Sequence, residues 1–426
     1  MTVDVLSPPA QAERQARTAV AVLFFTNGAL FANLLPRFPQ IKADLGIGNA
    51  AYGLAVAAFP TGAIVAGLAA GALIRRYGSG RVAVAGTVLT GIGVLAAGLS
   101  GSVVLFGTAL LLAGAMDAIT DVAQNAHGLR VQRRYGRSII NSFHAIWSIG
   151  AVTGGSMAAG AIALDLSLGQ HLLISAVVFG IAACVALRFC LTGPDTEPDT
   201  EPDAEAAKEE TKGETNGGAA RETGAESREL APRRDEKLRK TRLRTGYVLA
   251  ALVLIAASGA LVEDAGSSWA ALYLSDSLHA SGTLAASGYI ALVGAQFVGR
   301  MIGDRLVDRF GQRAVARSGG LIAAVGMGLA LAVPTATGTI LGFATAGFGV
   351  ATLVPAAMHE ADELPGLRPG SGLTIVSWLM RLGFLLSPPI VGLVADSTSL
   401  RVGLLVVPLA GLMVMVLGGV LQPRRR

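Results

Sequence analysis

The sequence predicts an all-α membrane protein with twelve transmembrane helices in two pseudo-symmetric six-helix bundles. One observation is the composition, because 52% of the 426 residues are apolar and the mean hydropathy is +0.57. Charged residues make up 15% of the chain, below the ~25% that is usual in soluble domains. The second observation is the pattern, which consists of six long apolar runs, a polar interruption and six more apolar runs.

Each apolar run is long enough to be a membrane helix, because about 20 apolar residues cross the hydrocarbon core. The 55 glycines support this assignment, since small residues let membrane helices pack closely. The first run follows a polar segment without a signal-peptide cleavage pattern, so we expect the run to be retained. We number the runs spans 1 to 12, with predicted bounds 18–36, 50–74, 82–100, 103–127, 138–163, 171–191, 246–273, 282–304, 314–333, 338–358, 371–394 and 400–421.

The polar interruption after span 6 is predicted to be a disordered linker. It holds 14 of the 29 acidic residues, between Asp195 and Glu236, and it ends in a basic stretch. A segment with so few apolar residues cannot bury enough surface to fold alone. The predicted organisation is an N-terminal tail (1–17), a six-helix bundle (18–192), the linker (193–245), a second six-helix bundle (246–421) and a basic tail (422–426).

Basic residues indicate how the chain lies in the membrane. The arginine-rich loops all fall on one side of the membrane if there are twelve spans, whereas the loops of the other side are short and nearly uncharged. Loops with an excess of Lys and Arg face the cytoplasm. We therefore predict a multi-pass protein of the bacterial inner membrane whose linker and two termini are cytoplasmic. The arginines concerned are Arg75, Arg76, Arg81, Arg130, Arg133, Arg134, Arg137, Arg309, Arg313, Arg424, Arg425 and Arg426.

Two short loops indicate that the two bundles are related. Residues 74–81 read Ile-Arg-Arg-Tyr-Gly-Ser-Gly-Arg, and residues 307–313 read Val-Asp-Arg-Phe-Gly-Gln-Arg. Each loop joins the second and third spans of its half. Related halves that pack about a pseudo-two-fold axis leave a cavity near the middle of the membrane.

These loops resemble the Gly…Asp-Arg-x-Gly-x-Arg signature of the major facilitator superfamily of transporters. The second copy keeps Asp308, Arg309 and Gly311, while Arg75 stands at the place of the acid in the first copy. The resemblance implies the twelve-helix fold of that superfamily, in which the loop helps to latch the halves in one state. We expect a gating or structural role for Arg300, Asp304, Asp308, Arg309, Gly311 and Arg313. Of these, Arg300, Asp304 and Asp308 are predicted to form a charge cluster at one end of span 8.

Spans 4 and 5 resemble a narrower group, the fucose-permease branch of sugar–proton symporters. The matching segments are Asp121-Val-Ala-Gln-Asn125-Ala and Asn141-Ser-Phe-His144-Ala-Ile-Trp147-Ser148. The resemblance puts Asp121 at the place of the membrane carboxylate that is linked to proton coupling. It puts His144 and Trp147 at the places of polar sugar-contacting residues. The chain departs from that branch near the end of span 1, where Asn33 replaces an acid.

Asp117 and Asp121 are the predicted proton-coupling residues. They are four residues apart, with Asn125 one turn further, so the three side chains share one face of span 4. An acid within a bilayer costs ~2.5–3.5 kcal/mol on insertion scales and persists where it faces a cavity or a partner. Two carboxylates so close together disfavour double ionisation, so we predict that one of them holds a proton.

Other polar residues within the spans are predicted to line a substrate site. Asn141, His144 and Trp147 lie along one stripe of span 5. Glu263 lies where the sequence of span 7 (Glu-Asp-Ala-Gly-Ser-Ser) predicts an irregular helix. Arg381, near the middle of span 11, needs an anion from the protein or from the substrate. The predicted substrate-binding residues are Asn125, Asn141, His144, Trp147, Glu263, Gln296, Trp378 and Arg381.

The predicted function is secondary active transport by alternating access. We expect proton-coupled uptake of a small polar solute, and a sugar-like compound is one candidate for that solute. A proton-driven exporter of drugs or metabolites is the alternative, although span 5 lacks the Gly-Pro pair of such antiporters. A non-transporting membrane receptor is the remote alternative. The expected partners are the solute, the proton and the lipid bilayer, but not nucleic acid, and we expect a monomer.

The sequence does not favour an enzyme, a cofactor or a metal site. It has no phosphate-binding Gly-Lys-Ser loop, no Cys/His metal spacing and no Ser–His–Asp arrangement. Cys184 and Cys190 lie six residues apart in one apolar run, which places them on different helix faces. We therefore predict two buried thiols rather than a disulfide.

Overall fold

The computed structural model describes residues 11–136, 139–193, 195, 226–364, 367 and 371–422, without the side chains of Asn141 and residues 226–243. The described residues form helices joined by short loops, and no β-strand occurs among them. Twelve segments of this part of the chain are long and apolar enough to cross a membrane, as predicted. They keep the numbers of spans 1 to 12: Gln11–Leu45, Asn49–Tyr77, Ser79–Gly98, Val103–Tyr135, Ser142–Ala163, Leu168–Leu187, Arg244–Ser277, Gly282–Phe310, Gln312–Ala332, Ala336–Asp362, Ser371–Ser397 and Leu400–Val420.

Half of the spans are single unbroken α-helices, and the other half contain a break or a change of helix type. The unbroken helices are Ser79–Gly98, Val103–Tyr135, Ile140–Ala163, Leu168–Leu187, Gly282–Phe310 and Gln312–Ala332. The first-half spans with a break are span 1, with the α-helices Gln11–Ala32 and Phe38–Leu45, and span 2, with Asn49–Val56 and Ala58–Tyr77. Span 7 has the α-helix Glu226–Leu272, and span 10 has Ala336–Val350 and Leu353–Asp362. Span 11 has Ser371–Leu379 and Arg381–Ser397, and span 12 has Leu400–Gly403 and Val406–Leu417. Short 3₁₀ segments are Leu35–Arg37 and Gly418–Val420, and a π-helical segment is Tyr273–Ser277.

The two repeated loops have nearly the same backbone. The turn between spans 2 and 3 is Gly78, with φ 87° and ψ 145°, and the turn between spans 8 and 9 is Gly311, with φ 84° and ψ 153°. Residues with a Cβ atom rarely adopt such a positive φ, so glycine is required at both turns. In each loop an arginine also lies over the ring of the aromatic residue that follows it, Arg76 over Tyr77 at 5.3 Å and Arg309 over Phe310 at 5.4 Å. This equivalence supports the pseudo-symmetry predicted from the sequence.

Glycines bring equivalent pairs of spans together in the two halves. A Cβ atom on Gly150 of span 5 would lie 2.2 Å from the carbonyl oxygen of Phe25 in span 1. In the second half, a Cβ atom on Gly383 of span 11 would lie 2.4 Å from the carbonyl oxygen of Ala257 in span 7. Such distances exclude any larger residue without a shift of the backbone. The helices can therefore pack backbone against backbone, as small residues permit in membrane proteins.

The two ends of the bundle differ in charge and in how closely the halves approach. We call the end with Arg75, Arg133 and Arg309 the arginine-rich end, and the opposite end, with Gly48 and Ser397, the arginine-poor end. Spans 2 and 11 meet at the arginine-poor end through glycines. A Cβ atom on Gly53 would lie 2.3 Å from the carbonyl oxygen of Pro388, and one on Gly392 would lie 2.4 Å from the carbonyl oxygen of Asn49.

A carboxylate and an ion pair also join the halves at the arginine-poor end. The Asp396 carboxylate accepts hydrogen bonds from the backbone N–H of Asn49 at 2.9 Å and from that of Ala50 at 2.8 Å. These are the first two residues of the helix Asn49–Val56, and a carboxylate stabilises a helix N-terminus. Lys42 and Asp276 form an ion pair with an N–O distance of 3.1 Å. The structure is therefore closed at this end.

The helix that contains span 7 begins earlier than predicted. It begins at Glu226, whereas the sequence predicted a disordered linker up to residue 245. Residues 226–245 are rich in Glu, Arg, Lys and Leu, which are good helix formers. Adding residues to an existing helix avoids the cost of a new nucleus, so the span can continue into the polar segment. The first part of the predicted linker lies outside the described residues.

The predicted irregularity of span 7 near Glu263 is wrong. The helix Glu226–Leu272 passes through this stretch without a break. The Ser268 hydroxyl donates to the Asp264 carboxylate one turn earlier at 3.3 Å, so its polar group is satisfied within the helix. Tertiary packing overrides the modest helix propensity of Gly and Ser here.

Candidate functional site

Asn27 in span 1 is the centre of a hydrogen-bond network in the first half. Its Nδ2 donates to Oδ1 of Asp117 at 2.7 Å. Its Oδ1 accepts from Nε1 of Trp147 at 2.9 Å and from Nε2 of Gln124 at 3.3 Å. The network therefore joins spans 1, 4 and 5 and fixes the Asp117 side chain, which is half-buried.

Asp121 lies one helical turn from Asp117 and is exposed to solvent. Its Oδ1 accepts from Nδ2 of Asn125 at 3.0 Å and from Nε2 of Gln124 at 3.4 Å. The carboxylate lies within electrostatic reach of His144 in span 5 and of Arg381 in span 11. Since Arg381 belongs to the other half, Asp121 faces the space between the halves rather than the lipid.

A second network in the middle of the protein is built on Glu263. Its Oε2 accepts from Nε2 of Gln296 at 2.7 Å and pairs with Nη2 of Arg300 at 3.6 Å. Arg300 also donates to the hydroxyl of Ser148 in span 5 at 3.5 Å. This last contact crosses from the second half to the first.

His144 connects the two networks electrostatically. It is exposed, its ring packs edge-on against Phe24 with the centroids 5.2 Å apart, and it lies within electrostatic reach of both Asp121 and Arg300. His144 and Arg300 therefore lie between the acids Asp117 and Asp121 of the first network and the acid Glu263 of the second. Such an arrangement lets a change of protonation at one acid alter the attraction between the halves.

The structure brings together many of the predicted site residues. Asp117, Asp121, Asn125 and Trp147 belong to the first network, and Glu263 and Gln296 belong to the second. Trp378 is 53% exposed, one turn before Arg381 along span 11. The Asn141 side chain lies outside the described residues.

Arg300 is not part of the charge cluster that its spacing predicted. Among the described residues, its ion pair is with Glu263, while Asp304, Asp308 and Arg309 are exposed at the arginine-rich end. Glu263 is 21% exposed in its side chain, so it is the less hydrated carboxylate and gains more from a cation. This interaction between the halves replaces the predicted pairing at i, i+4.

Gly311 and Arg313 have structural contacts at the arginine-rich end. Gly311 forms the turn described above. Nε of Arg313 donates to the carbonyl oxygen of Leu421 at 2.9 Å, and its backbone N–H donates to that of Gln422 at 3.2 Å. The beginning of span 9 therefore holds the end of span 12 in place.

Asn27, Gln124 and Ser148 were not predicted from the sequence as site residues. All three are buried polar residues within apolar spans. A polar residue within an apolar span is also the feature by which the acids were predicted as site residues. For a neutral side chain this feature is a weaker indication. The contacts that make them part of the site join segments far apart in the chain, such as Asn27 and Asp117.

Sequence comparison relates the whole chain to membrane transporters. Residues 20–368 and 264–426 match the sequence model of the Major Facilitator Superfamily. An uncharacterised transporter of Sinorhizobium fredii is 27% identical, over 95% of this chain and 97% of that protein. The membrane protein MosC of Rhizobium meliloti is 26% identical, over 93% of this chain and 88% of that protein.

Solved structures share the fold over nearly the full length. A mutant of the nucleoside transporter NupG superposes with a TM-score of 0.71 at 11% identity, over 96% of this chain and 100% of that one. A D-xylose–proton symporter superposes with a TM-score of 0.64 at 16% identity, over 95% of this chain and 96% of that one. At such identities the likeness shows the arrangement of twelve helices and no finer property.

Proposed function

Because the chain belongs to the Major Facilitator Superfamily, we propose that it is a secondary active transporter that couples uptake of a small polar solute to a proton. The central space between the halves is the proposed solute site. Its polar lining supports a solute that forms hydrogen bonds: Asn125, His144, Trp147, Glu263, Gln296, Trp378 and Arg381 are the proposed contacts, with Asn141 as predicted from the sequence.

The observation that carries the proposal is the surroundings of Asp121. Its carboxyl group is exposed to solvent and lies within electrostatic reach of Arg381 in the opposite half. A proton on Asp121 would remove its attraction for Arg381 and would therefore favour a different arrangement of the halves. A ligand shifts a conformational equilibrium by its differential affinity for the two states, and the proton is here such a ligand. Asp117, held by Asn27, is the proposed partner in this exchange.

We further propose that both termini are cytoplasmic and that the membrane is the bacterial inner membrane. The arginine-rich loops support this orientation. With this orientation the closed, arginine-poor end faces the outside, and the described state is inward-facing. The solute and the proton would then enter from the outside in the alternative state.

The test is solute uptake by the purified protein in liposomes with an acidic outer medium. D-xylose and a nucleoside are the first probes, because transporters of the same fold carry them. We expect accumulation that a protonophore abolishes. Asp121→Asn should lower accumulation by about tenfold or more while downhill exchange continues, because a neutral amide cannot bind and release the coupled proton.

Asp44→Asn is the matched control, since Asp44 is an exposed acid at the arginine-poor end. It should accumulate solute as the parent does. If Asp121→Asn accumulated solute normally, Asp121 would not be the coupling residue. If solute moved outwards under the same gradient, the protein would be an exporter.

A further inference from the structure

Asp264 in span 7 is a second acid inside the membrane, separate from the networks described above. The residue is only 9% exposed. Its Oδ1 accepts from the hydroxyl of Ser268 at 3.3 Å, whereas its Oδ2 is buried without a hydrogen-bond partner. Buried polar atoms are rarely left unpaired, so such an oxygen needs an explanation.

The groups around Asp264 offer no counter-ion in the described part of the chain. The hydroxyl of Ser387 in span 11 is close to the Asp264 carboxyl group, but it donates to the carbonyl oxygen of Leu261 at 3.4 Å. Ser387 is fully buried. The ionisable groups that face Asp264 are Glu263, which is also acidic, and Tyr52. Among the described residues, Arg300 is paired with the neighbouring Glu263 and not with Asp264. An ionised carboxylate is costly to bury without a cation, whereas the neutral acid is much less costly.

Span 2 of the opposite half covers Asp264. The Tyr52 hydroxyl donates to the carbonyl oxygen of Ser268 at 2.8 Å, and the Tyr52 ring packs edge-on against Trp269 with the centroids 5.0 Å apart. Next to it, Gly53 packs against the carbonyl group of Pro388, which follows Ser387. These contacts belong to the closure at the arginine-poor end, so opening that end would remove the cover.

Trp269 is affected by the same closure. Its side chain is fully buried, and its Nε1 has no hydrogen-bond partner. A buried polar group without a partner loses its hydration and gains no hydrogen bond in return. Two such groups lie beneath Tyr52, and both would be hydrated when span 2 withdraws.

We propose that Asp264 is a proton-binding site that is loaded from the arginine-poor end when span 2 withdraws and is covered by Tyr52 when that end closes. The proton comes from bulk water and returns to it, so no other reactant is needed. The inference rests on the proposed alternating access, and it adds a proton site in the second half to the one proposed at Asp121. Closure is favoured once Asp264 is neutral, because only the neutral acid can be covered without a cation.

Trp269 provides a direct test that does not require a transported solute. The chain has three tryptophans. In a parent variant with Trp147→Phe and Trp378→Phe, the tryptophan fluorescence therefore comes only from Trp269. Its emission is measured in lipid nanodiscs over about pH 3 to 9, the range in which carboxyl groups of proteins titrate. We expect a one-proton transition in the emission. Asp264→Asn should abolish it, and Asp264→Glu should keep a transition with a moved midpoint. Asp44→Asn, at an exposed acid of the arginine-poor end, should leave the transition unchanged.

Emission that does not change with pH in the parent would overturn the inference, and so would a transition that persists in Asp264→Asn. If Asp264→Asn does not fold, the Asp264→Glu variant is the test. A transition with the same midpoint as in the parent would then show that Asp264 is not the group that titrates. Uptake by Asp121→Asn tests the proposed function independently. Failure of coupling at Asp121 and failure of the proton site at Asp264 therefore give different results.

The entry side is tested by locking the arginine-poor end. Lys42→Cys and Asp276→Cys, in a background without Cys184 and Cys190, allow a bifunctional maleimide to join the halves across the former ion pair. After a pH jump, the Trp269 response should slow by about tenfold or more relative to the same variant before cross-linking, because span 2 can no longer withdraw. An equally fast response would show that the proton does not enter from this end.

Discussion

Arg300 makes a polar contact between the two halves near the middle of the protein. It pairs with Glu263 and donates to Ser148 across the interface between the halves. We predict that Arg300→Gln lowers proton-driven uptake by about tenfold or more, because the charge that opposes Glu263 is lost. Stability should change by only ~1 kcal/mol or less, as for other partly exposed ion pairs. Uptake and thermal unfolding of the same preparations measure the two effects.

The matched variants for Arg300 are Arg300→Lys and the double variant of Arg300→Gln with Glu263→Gln. Lysine should keep part of the uptake because it keeps the charge. In a double-mutant cycle, residues that interact give non-additive effects. Additive effects of the two glutamine substitutions would contradict the pairing.

Cys184 is exposed, so the prediction of two buried thiols is wrong for that residue. Cys190 lies just beyond span 6, and its surroundings give a prediction for thiol chemistry. It is 9% exposed, and burial raises the pKa of its thiol to about 11. Because the thiolate is the reactive form, we predict that maleimide labelling in a Cys184→Ser background accelerates about tenfold per pH unit up to about pH 11. A rate that levels off near pH ~8.5, as for an ordinary cysteine, would be incompatible with this environment. Unfolded protein is the control.

Single residues of the site could be predicted where their chemistry is costly in a bilayer. Asp121 was identified because an acid in an apolar run requires a partner or a cavity. Asn27 was missed because a neutral amide gives a weaker signal and its bond to Asp117 joins residues 90 apart in the chain. Arg300 was assigned to the wrong partners because local spacing cannot reveal a contact between the halves.

The packing of elements depends on glycines whose importance can be tested in a single helix. Gly150 and Gly160 both lie in the helix Ile140–Ala163. A Cβ atom on Gly150 would lie 2.2 Å from the Phe25 carbonyl oxygen, whereas nothing lies within 4 Å of one on Gly160. We predict that Gly150→Ala destabilises the protein by about 1–3 kcal/mol through overpacking, as measured by thermal unfolding in detergent.

Gly160→Ala is the control, and it should be neutral or stabilising by up to ~1 kcal/mol, because alanine is the better helix former. Equal effects of the two substitutions would mean that spans 1 and 5 are not in such close contact. The 55 glycines of the sequence indicated close packing of the helices in general. They did not indicate which carbonyl group Gly150 approaches.

The breaks within the helices were the least predictable feature at the scale of elements. The polar sequence around Glu263 predicted a break that does not occur, because the Ser268 hydroxyl bonds within its own helix. Span 11 instead breaks between Leu379 and Arg381, where no proline or glycine marks the position. Such breaks depend on what the neighbouring spans require of the backbone, and the local sequence does not contain that information.

At the scale of the whole molecule, the Asp396 carboxylate is predicted to stabilise the closed arginine-poor end. Asp396→Ala removes the acceptor for two backbone N–H groups of span 2. The free energy that favours the closed end should fall by about 0.5–2 kcal/mol, as for the loss of a helix cap. We expect a larger population opened at this end. Spin labels at Gly101→Cys and Thr337→Cys, which lie at this end in opposite halves, should report a longer distance.

Asp44→Ala, an exposed acid at the same end, is the control for Asp396→Ala and should leave the distance distribution unchanged. A distribution that did not respond to Asp396→Ala would mean that Asp396 does not influence the closure.

Twelve spans, their division into halves and the repeated loops were all predictable from the sequence, because hydropathy and a duplicated motif determine them. The end at which the molecule is closed was not predictable. A transporter uses one sequence for two arrangements that differ by only a few kcal/mol, so composition and spacing describe both equally. The contacts of Tyr52, Gly53 and Asp396 belong to only one of these arrangements.

The position of Asp396 has a consequence for the timing of hydrogen exchange. Its carboxylate lies in span 11 and accepts hydrogen bonds from the backbone amides of Asn49 and Ala50, which lie in span 2. These two amides are shielded from deuterated water only while the halves touch. Their exchange rates therefore record how often the molecule opens at that end, in the unmodified protein and without any solute.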